Sequence, residues 1–571
     1  MQRLPRIFLL FCFVNSFLVD LSSQAETLNL TLDTEAGRAE LATAVDRIFG
    51  EYKGLPGCSV GIFHQGKIVF EKGYGLANLE FNVASTAQNV YELGSISKQF
   101  TAACIVLLET QGKLSLDDPV QQHLKEWPVY PQGEVTIQHL LHHSSGLKDY
   151  LVIEYMRGNS WNRNFTQAQG LEILARHPNL LFPPGDRYSY SNSNYLVLAL
   201  IVEQVSGQSL DAYAQANIFE PLGMSSTYFH DEVNRVTPLH ATGYTDNGEG
   251  YERDDWRNFT APGDGGLRTN LQDFLKWSNN YQQPSVGGAD FTTEMLRRGV
   301  LNDGQTHTYA LGVEHGMING QSIFGHNGDW GGFHSMYLQA PEHELAVIAL
   351  SNNGTLNVWG KAFEVMETLL PIAPTSTVES TTVPSQSPTY QTLSTVQLAR
   401  HCAHYFDYEW GYARQVYLKD DTLHYARPNE YESKLFPLDE NTFEMDGSGG
   451  MVVTFSQDAG QQRMIVQQPG SSQQYVHEAY TPVQLSAQEL GAYAGTFHAR
   501  ILDQNYVLEV EKDQLLFTVK GETLEPFFPA VVDIFYSAHL GYMRFQRNEK
   551  GTVTGFHLRD EALGTVAFER R

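Results

Sequence analysis

The chain has 571 residues, of which 42% are apolar and 18% are charged, so its composition is that of a globular protein with more than one domain. This composition excludes a disordered or fibrous chain. The formal net charge of −27, with no basic cluster to offset it, disfavours binding to nucleic acid or to anionic lipid. We therefore expect no nucleic-acid partner.

The first 25 residues have the pattern of a secretory signal peptide. Arg3 and Arg6 give a positive start, residues 7–21 are mostly apolar, and small residues precede a cleavage point after Ala25. A transmembrane anchor is the alternative, but this stretch is short for ~30 Å of hydrocarbon and contains Asp20. No later stretch of the sequence is long and apolar enough to span a membrane. We predict an exported protein, periplasmic or secreted, without a membrane span after cleavage.

The cysteines and histidines follow no disulfide or metal pattern. Removal of the signal peptide takes Cys12 away and leaves Cys58, Cys104 and Cys402, which are too few and too widely spaced for a disulfide framework. The histidine pair at 142–143 is adjacent, and the sequence has no H-E-x-x-H motif or Cys/His spacing for zinc. We therefore predict no metal site and no cofactor.

A G-x-S-x-G pattern at 57–61 matches the nucleophile elbow of α/β-hydrolases, which needs a strand, a sharp turn and then a helix. In this chain Ser59 starts a strand pattern, 65–66 is a Gln-Gly hairpin turn, and 67–70 is a returning strand. We therefore predict a β-hairpin here and assign Ser59 no nucleophilic role.

Ser95 and Lys98 form an S-x-x-K pattern at the start of an apolar helix that is predicted to end before Gly112. A spacing of three residues places both side chains on one face of the helix. The Ser95 hydroxyl would lie at the positive end of the helix dipole, and a lysine in an apolar environment loses basicity and can accept the hydroxyl proton. The alternative is a helix cap followed by a solvated lysine.

Two further patterns carry candidate functional residues. In residues 182–195 a Pro-Pro-Gly turn and a short aromatic run precede a helix start, so the Tyr190 phenol can project into a cleft. Residues 323–332 form a glycine-rich edge that a substrate backbone can approach, where His326 can supply a donor or a cation. The alternatives are a packed tyrosine with a satisfied hydroxyl and a structural histidine in a loop.

Residues 371–397 differ from the chain before them, because Pro, Ser and Thr dominate and large apolar side chains are few. Such a composition cannot bury a core, so we predict a linker that follows a domain over 26–370. The strand-like remainder repeats at one constant offset, as three aligned pairs illustrate: Val416 with Leu508, Leu418 with Val510, and Leu423 with Leu515. We therefore predict two small β-barrels, over 398–484 and 485–571.

In this order the three patterns resemble the serine β-lactamase and penicillin-binding superfamily, especially its class C-like branch. Its S-x-x-K motif matches 95–98, its Y-x-N motif matches 190–192, and the H-x-G form of its third motif matches 326–328. The His-His-Ser-Ser-Gly-Leu run at 142–147 also looks like a segment of this family, and the resemblance covers about residues 40–370.

The resemblance implies an α/β (α+β) domain in which an antiparallel sheet flanked by helices lies beside a mostly helical lobe. It implies that Ser95 attacks a carbonyl to form an acyl-enzyme, while Lys98 and Tyr190 share the proton transfers in an order that the sequence leaves open. The Ser95 amide would be one oxyanion donor, with a second near Gly328 or Asp329. The substrate-binding residues it implies are Asn192, His326 and Gly328.

The H-x-G motif in place of K-T-G disfavours an efficient β-lactamase. A catalytic domain followed by two barrels resembles the three-domain layout of D-aminopeptidases, so we predict hydrolysis of an amide or peptide bond in a small D-amino-acid-containing or peptidoglycan-derived substrate. One alternative is a carboxylesterase, because 330–332 resembles the W-G-G element of class C-like esterases. Another is a catalytically inactive scaffold of the same family. The expected partner is a small molecule or short peptide, and the oligomeric state stays open.

Overall fold

A computed structural model of the protein describes residues 32, 34–50, 52–372, 390–427, 432–446, 451–458, 460–467 and 474–571. The predicted signal peptide over 1–25 and most of the predicted linker over 371–397 lie outside the described residues. Of the described residues, those within Ser23–Tyr150 and Ser160–Ala373 form one compact unit, called here the sheet unit. Those within Leu151–Asn159 and Pro374–Arg571 form a second, called the barrel unit.

The sheet unit contains a six-stranded antiparallel sheet. In spatial order its strands are Glu314–Ile318, Gln321–Trp330, Phe333–Ala340, Leu345–Ser351, Cys58–His64 and Lys67–Tyr74. The third and fourth of these strands are buried along their whole length, so both faces of the sheet are covered there.

The strands Cys58–His64 and Lys67–Tyr74 form the predicted β-hairpin. Gln65 and Gly66 both have positive φ, 49° and 74°, which suits a two-residue turn whose twist matches the flanking strands. The Ser59 hydroxyl lies in this hairpin, where it donates to the Thr86 carbonyl at 2.8 Å. The hairpin prediction is confirmed, and this serine is not on a strand-to-helix elbow.

Helices and short sheets complete the sheet unit. Its α-helices are Glu35–Phe49, Lys98–Thr110, Val120–His123, Ile137–Leu141, Gln167–Ala175, Asn192–Ser206, Leu210–Ala214, Glu220–Leu222, Leu271–Gln282, Phe291–Met295 and Val358–Leu369. Gly94–Ser97 and Pro341–His343 are 3₁₀ turns, and Gln215–Phe219 is a π turn. The short strands are Leu76–Asn78 with Val83–Ala84, Tyr91–Glu92 with Leu267–Thr269 and Tyr228–Phe229, Phe165–Thr166 with Phe259–Thr260, and Tyr244–Asp246 with Tyr251–Arg253.

The barrel unit contains two closed antiparallel barrels. The first consists of Ala403–Phe406, Ala413–Lys419, Thr422–Ala426, Glu432–Pro437, Thr442–Met445, Val452–Asp458, Gln461–Gln467 and Gln474–Tyr480, and the helix Thr395–Ala399 precedes it. The second consists of Gly495–Ala499, Gln504–Glu511, Gln514–Val519, Glu522–Val531, Ile534–Tyr536, Tyr542–Arg547, Val553–Asp560 and Gly564–Arg570, after the helix Ala487–Gly491. The predicted pair of barrels is confirmed.

The barrel interiors are filled with apolar side chains, as the alternating burial of their strands requires. In the second barrel the rings of Phe556 and Phe568 stack with their centroids 4.4 Å apart. An apolar cluster that includes Phe406 of the first barrel and Tyr542 of the second joins the two barrels. Small barrels of this kind are packed cores rather than channels.

The segment Leu151–Asn159 interrupts the sheet unit in sequence and belongs to the barrel unit. Most of it is the helix Tyr150–Met156. The Tyr155 hydroxyl donates to the Leu524 carbonyl at 2.8 Å, and the Tyr506 hydroxyl donates to the Met156 carbonyl at 2.8 Å. Across the described parts of the chain, no helix has both the length and the apolarity needed to cross a membrane.

Candidate active site

Ser95 lies in a tight turn rather than in the first turn of an α-helix. The α-helix begins only at Lys98, and Gly94–Ser97 form a 3₁₀ turn before it. Gly94 has φ +54°, and a side chain there would come within 2.4 Å of the Asp329 backbone nitrogen. The strand Gln321–Trp330 therefore passes so close to the turn that glycine is required at position 94. The chain enters the α-helix through a 3₁₀ turn, which is wound more tightly than an α-helix.

Gly328 makes the second close approach at this crossing. A Cβ at this position would lie 1.8 Å from the Leu93 carbonyl oxygen and 2.4 Å from the Ser335 hydroxyl. The close approach that the glycine-rich segment permits is thus made to the chain's own backbone, directly before the 3₁₀ turn that contains Ser95.

Lys98 is completely buried, and its ammonium is directed at three oxygen atoms. Its Nζ donates to Ser95 Oγ at 3.0 Å, to Asn192 Oδ1 at 2.9 Å and to the Asp264 carbonyl at 2.6 Å. These three acceptors use the three N–H groups of an ammonium. Lys98 does not extend into solvent, so the alternative of a solvated lysine after a helix cap is wrong.

Tyr190 reaches the same hydroxyl from another element. It precedes the helix Asn192–Ser206, and its own hydroxyl donates to Ser95 Oγ at 3.0 Å. The imidazole of His143 stacks on the Tyr190 ring with the centroids 4.2 Å apart. This imidazole is held in place because His143 Nδ1 accepts from the Ser191 amide at 3.1 Å.

His326 is buried beside the site and binds groups of its own chain. Its Nδ1 donates to the Asn327 carbonyl at 2.6 Å, so Nε2 carries the lone pair and accepts from the Tyr309 hydroxyl at 3.2 Å. Burial, reinforced by the charge of Lys98, lowers the pKa of His326 to about 3. Of the two roles expected for this residue, burial disfavours the cationic one, and the single N–H of the neutral ring already donates to the Asn327 carbonyl.

Two buried carboxyl groups lie behind Lys98. Asp149 Oδ2 accepts from the backbone nitrogen and from Nδ2 of Asn192, each at 2.8 Å. Both carboxyl oxygens of Asp264 accept from the Tyr150 hydroxyl at 3.1 Å. Burial raises the pKa of Asp264 to about 7, against the opposing effect of the Lys98 charge, while the charge of Asp149 raises it further. Sequence reasoning missed both carboxyl groups.

The strand Gln321–Trp330 offers a free edge next to Ser95. The neighbouring strand Glu314–Ile318 pairs with it only as far as Gly325. Within the described residues, the edge from His326 to Trp330 therefore has no strand partner on that side. An extended substrate can add to such an edge through backbone hydrogen bonds.

A small open cleft lies beside this edge. Gly265 borders it, and a Cβ there would be 3.9 Å from the Gly94 carbonyl oxygen. Phe259 and Trp330, whose ring centroids are 4.8 Å apart, provide an apolar wall. Glu92, His230 and Arg268 also line the cleft, so its surface is partly apolar and partly polar.

The structure thus brings Ser95, Lys98, Tyr190 and Asn192 together through direct hydrogen bonds. The amine of Lys98 and the phenol of Tyr190 thus meet at the hydroxyl oxygen of Ser95. Such an arrangement can activate a serine for attack on a carbonyl group and pass its proton onwards.

Comparison with known proteins agrees with this arrangement. The β-lactamase family model matches residues 45–360, so the chain belongs to the β-lactamase family. The resemblance deduced from the three motifs is therefore confirmed.

Individual relatives carry more specific names. A D-aminopeptidase from Brucella anthropi is 29% identical over 346 residues, which are 59% of this chain and 63% of that protein. A D-aminopeptidase from Gluconobacter oxydans is 28% identical over 316 residues, which are 55% of this chain and 59% of that protein. The chain thus spans about three fifths of the length of these relatives.

Among solved structures, the octameric penicillin-binding protein homologue from Pyrococcus abyssi has a TM-score of 0.51 and 24% sequence identity. The match covers 78% of this chain and 100% of that chain. It shows that the two proteins share a fold.

Proposed function

We propose that the protein is a serine hydrolase that cleaves an amide or peptide bond in a small substrate containing a D-amino acid or derived from peptidoglycan. The observation that carries this proposal is that Lys98 Nζ and the Tyr190 hydroxyl each lie 3.0 Å from Ser95 Oγ. The names of the D-aminopeptidase relatives support the choice of substrate.

The reaction proceeds in two halves. Ser95 Oγ attacks the substrate carbonyl carbon, and its proton passes to Lys98 in its neutral form, either directly or by way of Tyr190. The same proton is then given to the leaving nitrogen, the C–N bond breaks, and an ester to Ser95 remains. In the second half, water attacks this ester, its proton passes back through the same groups, Ser95 regains its hydrogen, and the acid is released.

The oxyanion of each tetrahedral intermediate needs two donors. The Ser95 backbone amide lies in the turn that leads into the helix Lys98–Thr110, where the helix dipole favours negative charge. Asp329 supplies the second amide, because its nitrogen belongs to the free edge and lies against Gly94. As substrate-binding residues we propose Asn192, His326 and Gly328.

A carboxylesterase is the second candidate. Trp330, whose ring packs against Trp256 with a centroid distance of 4.8 Å, lines the open cleft together with Phe259 as an aromatic wall. Such a wall suits a substrate with an apolar acyl group, whether the leaving atom is the oxygen of an ester or the nitrogen of an amide. The third possibility, an inactive scaffold, requires that Ser95 fail to react.

We also propose that the chain is exported, with residues 1–25 as its signal peptide. In this proposal residues 26–370 form the catalytic domain, residues 371–397 form a linker, and residues 398–484 and 485–571 are the two barrel domains.

The proposal is tested by comparing three substrates: D-Ala-p-nitroanilide, L-Ala-p-nitroanilide and p-nitrophenyl acetate. We expect the D-anilide to be cleaved in preference to the L-anilide by the wild type and by Ser59→Ala, but not by Ser95→Ala. Cleavage of the ester without any cleavage of the D-anilide would favour the esterase instead. No turnover of any of the three would favour the scaffold.

A further inference from the structure

Asp149 is a buried carboxylate next to the candidate active site that no sequence motif marks. The residue is 3% exposed and directly precedes the helix Tyr150–Met156. One of its oxygens, Oδ2, accepts from two groups of the same residue, the backbone nitrogen and Nδ2 of Asn192. It thus holds both the start of the helix Asn192–Ser206 and the side chain of the first residue of that helix.

The Asp149 carboxylate takes the place of a missing helix cap. Ser191 is the N-cap residue of the helix, and its side chain makes no capping hydrogen bond. Asp149 accepts the N–H of the first helical residue instead, at the end where the helix dipole stabilises an anion. The position of this carboxylate is therefore fixed by the backbone as well as by the Asn192 side chain.

The contact with Nδ2 determines which way the Asn192 amide faces. An asparagine side chain has an acceptor oxygen and a donor nitrogen that exchange places when it turns over. Because Asp149 Oδ2 accepts from Nδ2, Oδ1 is left facing Lys98 Nζ at 2.9 Å. In the opposite orientation an N–H group would face the ammonium and an oxygen would face the carboxylate, and both contacts are repulsive.

The Asn192 oxygen in turn directs Lys98 towards Ser95. Asn192 Oδ1 and the Asp264 carbonyl hold two of the three N–H groups of the ammonium. The third N–H group of the ammonium is directed at Ser95 Oγ. When the amine is neutral, the same two oxygens still hold its two N–H groups, so its lone pair faces the serine hydroxyl.

We propose that Asp149 is a positioning residue for Lys98, acting through Asn192, whose amide it fixes with the oxygen towards the amine. This inference rests on the proposed function, because it assumes that Lys98 exchanges a proton with Ser95. Asp149 touches neither the substrate nor the reacting hydroxyl in this scheme, so its replacement should lower kcat by a larger factor than it changes KM.

A double-mutant cycle tests this inference. We expect Asp149→Ala to lower kcat by about 10-fold or more, since a small misplacement of a reacting group costs rates of this order. Asp149→Asn should remain within about threefold of the wild type, because its amide oxygen can accept from the same two N–H groups. In an Asn192→Ala background, Asp149→Ala should cause no further loss of kcat, because the side chain through which it acts is gone.

Asp273 provides a matched control. It is also 3% exposed, and its Oδ2 accepts from the Ser226 amide at 2.7 Å and from the Thr227 hydroxyl at 3.0 Å. We expect Asp273→Ala to lower the stability without changing kcat. If Asp149→Ala does not fold, Asp149→Ser replaces it in the cycle, since the shorter hydroxyl does not reach both donors of Asn192.

Three results would overturn the inference: wild-type kcat in Asp149→Ala, additive losses in the cycle, or an Asp149→Asn variant as slow as Asp149→Ala. The rate constant for labelling Ser95 with a fluorophosphonate should change in parallel with kcat, since it needs no particular substrate. Labelling that depends on Asp149 without D-anilide turnover would contradict the proposed substrate and leave the inference standing. A wild-type protein that is not labelled would overturn both.

Discussion

The site around Ser95 and the two barrels bury very different groups. At the site, Lys98, Asp149 and Asp264 are buried, and Lys98 Nζ donates to the Asp264 carbonyl. Asn192 Nδ2 donates to Asp149 Oδ2. In the second barrel the buried groups are mainly aromatic and aliphatic, such as the stacked rings of Phe556 and Phe568. Burying a charged group costs free energy, whereas burying an apolar side chain does not. Buried charged groups are therefore retained mainly where a reaction needs them. The comparison predicts that changes at the site affect rate and changes in the barrels affect stability.

The largest effect on rate is expected at Lys98. Replacement by alanine removes the amine that we propose as a proton acceptor for Ser95, so kcat should fall by ~10² or more. Lys113→Ala, an exposed lysine after the same helix, should leave kcat unchanged. Steady-state kinetics on the D-anilide measures both, and a near-normal rate in Lys98→Ala would remove this residue from the mechanism.

Tyr190→Phe tests the second group at the serine oxygen. The ring and its stacking on His143 remain, while the hydroxyl that donates to Ser95 Oγ is lost. We expect kcat to fall by ~10² with little change in stability. If the variant turns over at nearly the wild-type rate, proton transfer does not pass through the phenol.

A core substitution in a barrel should give the opposite pattern. Phe556 is fully buried, and its replacement by alanine should lower the free energy of unfolding by ~3–5 kcal/mol through the cavity that it leaves. The kcat of the folded fraction should stay at the wild-type value. Denaturant unfolding and kinetics on the same sample measure the two quantities, and a large loss of kcat would break the comparison.

Asp264 should give the smallest effect, seen as a change with pH. The pKa of this carboxyl is raised from 3.8 to about 7 in the folded protein. At a pH between these two values, the Asp264 carboxyl has lost its proton in the unfolded chain and keeps it in the folded protein. The free energy of unfolding therefore falls as the pH rises. Asp264→Asn should flatten this slope between about pH 4 and pH 7.

Tyr150→Phe is the control for that measurement. It keeps the Asp264 carboxyl and removes a hydrogen bond that lowers its pKa. The slope should therefore persist in this variant and extend to higher pH. An unchanged slope in Asp264→Asn would show that another group is responsible.

Much of this contrast could be read from the sequence. The spacing of Ser95 and Lys98, the tyrosine before a helix start and the glycine-rich strand are local patterns, and the barrels follow from a repeat at constant offset. The hydrogen bonds between distant residues could not be predicted from the sequence. Asp149 contacts Asn192, and Asp264 contacts Lys98, only after distant segments pack together. The 3₁₀ turn before the helix has the same origin, since the Asp329 backbone crosses at Gly94.

The orientation of His326 also lay beyond sequence reasoning. A histidine in a glycine-rich strand suggests a donor or a cation for the substrate. Its actual state depends on Tyr309, which donates to Nε2, and on the burial that keeps the ring neutral. Neither can be inferred from the H-x-G motif alone.

The central claim is that Ser95 is a nucleophile activated by its buried neighbours, and fluorophosphonate labelling followed by peptide mass mapping tests it most directly. We predict a single adduct on Ser95 in the wild type and in Ser59→Ala, none in Ser95→Ala, and strongly slowed labelling in Lys98→Ala. An adduct on a different residue, or equal labelling of Ser95→Ala and the wild type, would contradict the account.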